Sequence, residues 1–151
     1  MAMTSTKWQE NLIDSSAEIR ELVLGSRRIA VLGIKTEWQA DQPAFYVPKY
    51  LNGAGLEVIP VPVYYPEVTE ILGKKVYRHL VDIPGEVDLV DVFRRSQDIN
   101  GHVADIVAKK PKAVWFQSGI RNDRAAEALA KAAIKVVQDR CLMVEHRLAG
   151  R

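Results

Sequence analysis

The sequence predicts an α/β fold: a Rossmann-like, doubly wound, mainly parallel five-stranded sheet with helices on both faces. Patterns typical of strands and of helices alternate along the chain, which is the arrangement that produces parallel sheets. Residues 29–32 are apolar at every position, as expected of a central strand that helices cover on both sides. The 151 residues are enough for one domain with a sizeable core.

Helix-start patterns open the chain. Two pairs have the spacing of a capping box, Thr6 with Gln9 and Ser15 with Glu18. The second pair leads into an apolar stripe at helical spacing, and Gly25 suits a left-handed residue that ends this helix. We expect residues 1–14 to form an N-terminal extension and residues 15–151 to form the domain. Whether the extension is a separate helical turn or a frayed part of the first helix stays open.

The remaining elements follow in alternation. Strands are predicted at residues 29–32, 58–61, 87–93, 113–117 and 134–137. Helices are predicted at residues 41–54, around an apolar stripe at 99–107, and after Asn122, which suits a helix cap. Pro48 removes one hydrogen bond from the first of these helices, so we expect a kink there or a helix that starts near Tyr46. The weak periodicity of residues 68–85 predicts a connection with a short helix or strand.

Composition and charge narrow the class of protein. Hydrophobic residues make up 48% of the chain and charged residues 26%, as in ordinary globular domains. The net charge of +2 and the scattered Lys and Arg residues predict no nucleic-acid partner. No apolar run is long enough to span a membrane and no signal peptide is visible, so we expect a cytoplasmic protein without membrane contact. The single cysteine, Cys141, excludes an intrachain disulfide and fits a reducing compartment.

Ligands of doubly wound sheets bind beyond the carboxyl ends of the strands, which directs attention to the loop at residues 33–38. Gly33 allows a tight turn and a close approach to a ligand. The loop is not the dinucleotide fingerprint, because its second and third glycines are missing. Lys35 and Thr36 suit a phosphate with a charge and a hydroxyl group. A solvent-exposed loop that happens to contain a lysine fits these residues equally well.

The second loop argues against NAD. Domains that bind NAD carry Asp or Glu at the end of the second strand, where the carboxylate holds the ribose. Here that end is apolar and rigid, with Pro62 and Val63, while Glu57 stands at the opposite end of the strand. Such a loop fits packing along an adenine or the edge of a ribose.

Two further loops carry groups that suit a cofactor. Phe93, Arg94 and Arg95 follow the third strand, where the ring would lie near a base and one of the two guanidinium groups near a phosphate. A core position for the ring and surface positions for both arginines are the alternatives. Gln117, Ser118 and Gly119 precede a helix, whose first N–H groups would hold an anion or an amide carbonyl. The alternative is an ordinary strand-to-helix turn.

No reaction centre is visible in the sequence. The three histidines, His79, His102 and His146, have no spacing typical of metal ligands. Ser118 lacks the context of a nucleophile elbow, and Cys141 is by default a packing residue. These residues therefore predict a binding domain.

Five stretches carry a family resemblance: residues 29–33, 58–61, 87–94, 114–119 and 139–141. In order and spacing the chain resembles the small bacterial and archaeal coenzyme A-binding proteins. Those proteins are similar to the N-terminal CoA-binding domain of the succinyl-CoA synthetase α-subunit. The resemblance extends from about Ser15 to Arg147.

The resemblance implies coenzyme A as the cofactor and assigns a part of it to each loop. The Gly33 loop, through Ile34, Lys35 and Thr36, would hold the phosphates. Pro62 and Val63 would border the adenosine, and Phe93 and Arg94 would flank the cofactor. The path of the pantetheine would be lined by Gln117, Ser118 and Gly119. The family commonly has a small residue and a serine where Ile34 and Lys35 stand, and often Asn at Pro62. The synthetase's phosphorylated histidine belongs to a second domain that this sequence does not contain, so its ligase chemistry does not carry over.

Three functions remain open at this stage. The leading hypothesis is a non-catalytic carrier or sensor of CoA or an acyl-CoA. The alternative is a nucleotide-binding subunit of an enzyme, either like an acyl-CoA ligase with a partner or an NAD(P)-dependent oxidoreductase. The third is an interaction module with a vestigial cleft. A homodimer or another protein partner is compatible with each. Cys141 follows the fifth strand on the ligand side, which suggests a mixed disulfide with the CoA thiol.

Overall fold

A five-stranded parallel sheet forms the centre of the molecule. The structure is a computed structural model that describes residues 3–150, with side chains from residue 7 onward. The strands are β1 (Arg28–Leu32), β2 (Glu57–Val61), β3 (Glu70–Ile71), β4 (Lys74–Lys75), β5 (Leu89–Val92), β6 (Ala113–Phe116) and β7 (Lys135–Val137). The α-helices are α1 (Ser16–Gly25), α2 (Pro43–Gly53), α3 (Val103–Lys109), α4 (Asp123–Lys131) and α5 (Leu142–Leu148). Short 3₁₀ helices span Met3–Asn11, Glu37–Gln39, Leu80–Asp82 and Ser96–His102.

The strand order identifies where a ligand would bind. The order in the sheet is β2-β1-β5-β6-β7, so the chain first moves outward from β1 to β2 and then crosses back to β5. The connections that leave β1 and β5 therefore diverge, and they open a crevice between them. The predicted fold class, a Rossmann-like parallel sheet with helices on both faces, is confirmed.

The apolar strands bury alternate residues on two faces. Ile29 and Val31 of β1 belong to a cluster with residues of α1, α2 and α5. Ala30 and Leu32 belong to a second cluster, with residues of α3 and α4. Burial on both faces explains why these strands lack the polar alternation of a half-exposed sheet. Within the described residues no helix is long and apolar enough to cross a membrane.

Helix α2 corrects one prediction. The helix begins at Pro43, whose missing N–H is harmless at a first helical position, and it continues through Pro48 without ending. Of the two alternatives expected at Pro48, the later helix start near Tyr46 is therefore wrong. Because Pro48 has no N–H, the carbonyl of Ala44 lacks its helical donor, and the N–H of Lys35 donates to it instead at 3.0 Å. The defect in the helix thus anchors the loop that follows β1.

Other boundaries differ in smaller ways. Ser15 caps α1, as expected, by accepting a bond from the N–H of Glu18 at 3.2 Å. Gly25 is the last residue of α1 and does not adopt a positive φ, so the predicted left-handed end is wrong. The strand predicted at 87–93 is shorter, since β5 covers only Leu89–Val92. Just before it, the carboxylate of Asp88 accepts a hydrogen bond from the backbone N–H of Arg28 in β1 at 2.9 Å. The side chain of Thr6 lies outside the described residues.

The connection at 68–85 and the N-terminal segment add structure at the edges of the sheet. The connection contains the antiparallel pair β3–β4 and a 3₁₀ turn. At the other edge, Leu12 pairs with Val136 of β7, and the N–H of Ile13 donates to the carbonyl of Val136 at 2.8 Å. The described part of the N-terminal extension therefore covers the edge of β7, an arrangement that blocks pairing with other chains.

A buried carboxyl group lies in the central strand. Asp91 of β5 is fully buried, and it stands between Val31 and Trp115 of the neighbouring strands. Neither carboxyl oxygen has a hydrogen-bond partner among the described residues. Burial raises the pKa of Asp91 well above its ordinary value, because a charge without a partner is costly in this environment. The native state therefore favours the protonated form.

This burial predicts a pH dependence of stability. Above the ordinary pKa of Asp the unfolded chain releases the proton while the native chain keeps it, so Asp91 lowers the free energy of unfolding as pH rises. Asp91→Asn cannot release this proton and should lose that contribution. Urea denaturation of both chains between about pH 4 and about pH 8 measures the slopes. Equal slopes would contradict a raised pKa.

Candidate functional site

A cavity of about 820 Å³ opens at the carboxyl ends of the strands, beside the crevice between β1 and β5. Six of its lining residues were predicted from the sequence as site residues: Lys35, Phe93, Arg94, Gln117, Ser118 and Gly119. Cys141, the first turn of α2 and neighbouring residues of the same loops, Gln42, residues 95–97 and Ile120, also line it. A smaller cavity of about 390 Å³ lies at the amino ends of the strands, where sheets of this kind do not bind their ligands.

Gly33 holds the two sides of the crevice together. Its φ is +88°, and a Cβ at this position would lie 2.3 Å from the carbonyl oxygen of Phe93. The N–H of Gly33 donates to the carbonyl of Val61 at 2.9 Å, and that of Phe93 donates to Leu32 at 2.9 Å. The glycine was expected to permit close approach to a ligand. In the structure it permits close approach of the backbone that follows β5.

The side chains that follow Gly33 in the β1 loop point in different directions. Ile34 is buried in the core and Thr36 is buried at the start of a 3₁₀ turn, so neither side chain lines the cavity. The Thr36 hydroxyl donates to Oε1 of Gln39 at 2.8 Å and accepts from the N–H of Trp38 at 3.2 Å. This capping box was missed, although the spacing of Thr36 and Gln39 shows it in the sequence. Lys35 does line the cavity.

Lys35 is held at the cavity from both its backbone and its side chain. Its N–H is fixed by the carbonyl of Ala44, and its ammonium group donates to the side-chain carbonyl of Gln42. Gln42 also lines the cavity and immediately precedes α2. An ammonium group placed in this way is a suitable partner for a phosphate.

The loop after β2 lies beside the cavity. Pro62 is buried and Val63 packs against the second core cluster, and neither lines the cavity. Tyr64, which sequence analysis missed, is 58% exposed and reaches the rim. Its hydroxyl accepts a hydrogen bond from Nη1 of Arg94 at 3.2 Å. The loop thus contacts the cavity wall through Tyr64.

Arg94 is the centre of a polar cluster at the rim. Its Nε donates to Nε2 of His102 at 3.2 Å, and its Nη2 lies 3.7 Å from the carboxylate of Asp98. His102 must be neutral to accept this bond. Burial, followed by the charge of Arg94, lowers the pKa of His102. Arg94 likewise lowers the pKa of Tyr64 through its hydrogen bond and its charge.

The turn after β6 is held by hydrogen bonds within the chain. Oε1 of the buried Gln117 accepts from the N–H of Leu142 at 3.1 Å, which ties this turn to the start of α5. The N–H of Gly119 donates to Asp139 at 2.6 Å. Ser118 is exposed on the cavity wall.

The start of α4 offers less to an anion than the sequence suggested. Asn122 caps the helix as predicted, by accepting from the N–H of Ala125 at 2.9 Å. The N–H of Asn122 itself donates to Gln138 at 2.7 Å, and that of Arg121 donates to Ser96 at 3.1 Å. Because these backbone donors are already used, they are not available to an anion. The positive charge at the cavity comes instead from side chains, those of Lys35 and the arginines after β5.

The cavity is therefore suited to binding an anionic ligand with an apolar part. Phe93 and Tyr46 contribute apolar surface, and Lys35 and Arg94 contribute positive charge. Among the described residues no group of three or more His, Cys, Asp or Glu side chains is arranged to hold a metal ion.

Comparison with known families identifies the domain. Residues 27–147 match the model of a family described as a CoA binding domain. The chain belongs to this CoA-binding domain family. The resemblance noted from the sequence is confirmed, and the matched residues include every loop that surrounds the cavity.

Relatives of this CoA-binding domain share its length and shape. The uncharacterized protein YneT of Bacillus subtilis (strain 168) is 36% identical over 132 residues, which are 87% of this chain and 94% of that protein. The structure of cell-free ID.343 from Thermus thermophilus is 38% identical with a TM-score of 0.81, over 90% of this chain and 99% of that one. A hypothetical protein from Pyrococcus horikoshii OT3 is 31% identical with a TM-score of 0.81, over 91% of this chain and 94% of that one.

The contact at Gly33 predicts a strong effect of a single methyl group. Gly33→Ala places a Cβ against the backbone of Phe93 and requires alanine to adopt a positive φ. We therefore expect the free energy of unfolding to fall by about 1–3 kcal/mol or more. Gly25→Ala is the matched control, because nothing lies within 4 Å of its added Cβ and its φ is not positive. That change should stay within about 1 kcal/mol. Equal losses in urea denaturation would contradict this account.

Proposed function

We propose that the protein binds coenzyme A or an acyl-CoA in the cavity at the carboxyl ends of the strands, as a non-catalytic carrier or sensor. The observation that supports this most is the pairing of held cations with apolar surface in one cavity. Lys35 and Arg94 match the phosphates, and the surface around Phe93 matches the base and the pantetheine chain. Membership of the CoA-binding domain family points to the same ligand.

The proposal assigns a part of the cofactor to each wall. Lys35, in the loop that begins at Gly33, contacts the diphosphate, while Ile34 and Thr36 hold that loop in shape through the core and the capping box. The loop of Pro62 and Val63 borders the adenosine. The other predicted residues flank or line the path of the cofactor: Phe93, Arg94, Gln117, Ser118 and Gly119. Residues 15–151 form the binding unit.

Isothermal titration calorimetry tests the proposal. We expect saturable binding of CoA and no binding of NAD, because the end of β2 offers the buried residues Val61 and Pro62 where an NAD domain needs a carboxylate. Binding should also raise the free energy of unfolding, by roughly 2.7 kcal/mol when the CoA concentration is about 100 times the dissociation constant. Binding of NAD alone would replace CoA as the ligand. Binding of neither would refute the proposal.

Cys141 provides a second test, because it is the single cysteine and it lines the cavity. Bound CoA covers the wall on which the thiol lies, so CoA should slow the alkylation of Cys141 by iodoacetamide. Intact-mass spectrometry follows the reaction, and NAD serves as the control ligand. An alkylation rate that is unchanged at saturating CoA would place the cofactor away from this wall.

The same thiol predicts a covalent adduct. CoA disulfide contains the sulfur–sulfur bond that the Cys141 thiolate attacks, giving a Cys141–CoA mixed disulfide and releasing one molecule of CoA thiol. We expect a mass increase of one CoA unit that dithiothreitol removes. Cys141→Ser should show no adduct. Failure of the native chain to react, while it still binds CoA, would place the pantetheine end away from Cys141.

A further inference from the structure

Three segments that are distant in the chain meet at the rim of the cavity. Tyr64 follows β2, Arg94 follows β5, and His102 stands at the start of α3. Arg94 links the other two through hydrogen bonds of 3.2 Å each, and it also lies over the ring of Tyr64, 5.4 Å from its centroid. We name these three residues the arginine clamp. Its geometry fixes a guanidinium at the edge of a cavity.

The clamp leaves Arg94 free to bind an anion. The side chain is only 14% exposed but lines the cavity, and its two hydrogen bonds use fewer N–H groups than a guanidinium carries. Asp98 does not cancel the charge, because the same carboxylate lies 3.0 Å from Arg95 and 3.7 Å from Arg94. Two arginines against one carboxylate leave a net positive charge, which suits a doubly charged phosphate.

His102 controls where the guanidinium points. It accepts from Nε of Arg94, and this is possible only while its ring is neutral. The charged groups around it are Arg94 and Asp98 from the segment after β5, and Asp105 from α3. The carboxylate of Asp105 is itself held by the N–H groups of Leu80 and Val81, at 2.8 and 3.3 Å. Protonation of His102 would replace the acceptor with a donor and a like charge facing Arg94.

We infer that the arginine clamp recognises the 3′-phosphate of CoA, with Arg94 as the contact and His102 as the positioning residue. This inference rests on the proposed function. CoA carries its charge on a diphosphate and on a phosphate monoester at the ribose. Lys35 serves the diphosphate, whereas Arg94 is joined through Tyr64 to the loop assigned to the adenosine. The monoester is the phosphate next to that loop.

Calorimetry with CoA and dephospho-CoA, which differ only in this phosphate, tests the contact. The native protein should bind CoA at least about tenfold more tightly than dephospho-CoA. Arg94→Gln should bind CoA as weakly as dephospho-CoA while its affinity for dephospho-CoA changes little. Arg121→Gln is the matched control, because that side chain is 62% exposed, pairs with Asp123 and does not line the cavity, so the preference for CoA should remain. Retention of the preference in Arg94→Gln, or its loss in Arg121→Gln alone, would overturn the assignment.

The positioning role of His102 needs its own variants. His102→Gln keeps an acceptor within reach of Arg94 and should retain most of the preference for CoA, whereas His102→Leu should lose most of it. Tyr64→Phe removes one hydrogen bond at an exposed site, and a reduction of about two- to threefold is expected. Circular dichroism confirms folding, and Tyr64→Phe keeps the test open if His102→Leu does not fold. Equal preference in the Gln and Leu variants would overturn the role of His102.

The pH dependence separates positioning from simple packing. Because its pKa is lowered, His102 becomes protonated only below its ordinary range, so the preference should hold near neutral pH and fall as the pH drops below about 6.5. The decrease should be smaller in His102→Gln, where only the phosphate titrates. A preference that rises at low pH in the native protein would overturn the inference. If the protein binds CoA but does not prefer it to dephospho-CoA at any pH, only this inference is refuted. If the protein does not bind CoA, the proposed function is refuted.

Discussion

The close approach of Gly33 to the carbonyl of Phe93 is the constraint on which the rest of the site depends. The central strands β1 and β5 lie side by side, yet the segments that follow them turn to opposite faces of the sheet. Only a residue without a Cβ allows the two backbones to meet at the point of divergence. The crevice therefore has a narrow, rigid base. Phe93 and Arg94 leave that base directly and form one wall of the cavity.

The opposite wall depends on a defect in a helix. Pro48 leaves the carbonyl of Ala44 without a helical donor, and the loop after β1 supplies one through the N–H of Lys35. The Thr36 capping box fixes the next residues. A loop without the glycine fingerprint of dinucleotide-binding domains is thus kept in one shape by hydrogen bonds to α2 and to its own 3₁₀ turn. That shape directs Lys35 to the cavity and Ile34 to the core.

Ionisable groups near the cavity divide into two kinds with opposite consequences. Asp91 lies in β5, two residues before Phe93, fully buried and without a hydrogen-bond partner among the described residues, so burial favours its neutral form. Arg94 lies at the rim, where Tyr64, Asp98 and His102 hold a guanidinium that is still able to donate. Asp91 lowers the free energy of unfolding as pH rises, whereas Arg94 provides positive charge for a ligand.

The sequence by itself determined the fold class, the cap residues Ser15 and Asn122, and the side of the sheet on which the cavity lies, because these follow from periodicity and local hydrogen bonding. It also identified Phe93, Arg94 and Gln117 as wall residues, since each ends or follows a buried strand. Only the tertiary structure decided which side chains of the β1 loop reach the cavity, and that Tyr64 and His102 contact Arg94. Those contacts join segments eight to thirty residues apart in the chain, and they form only once the strands have assembled in their crossed order.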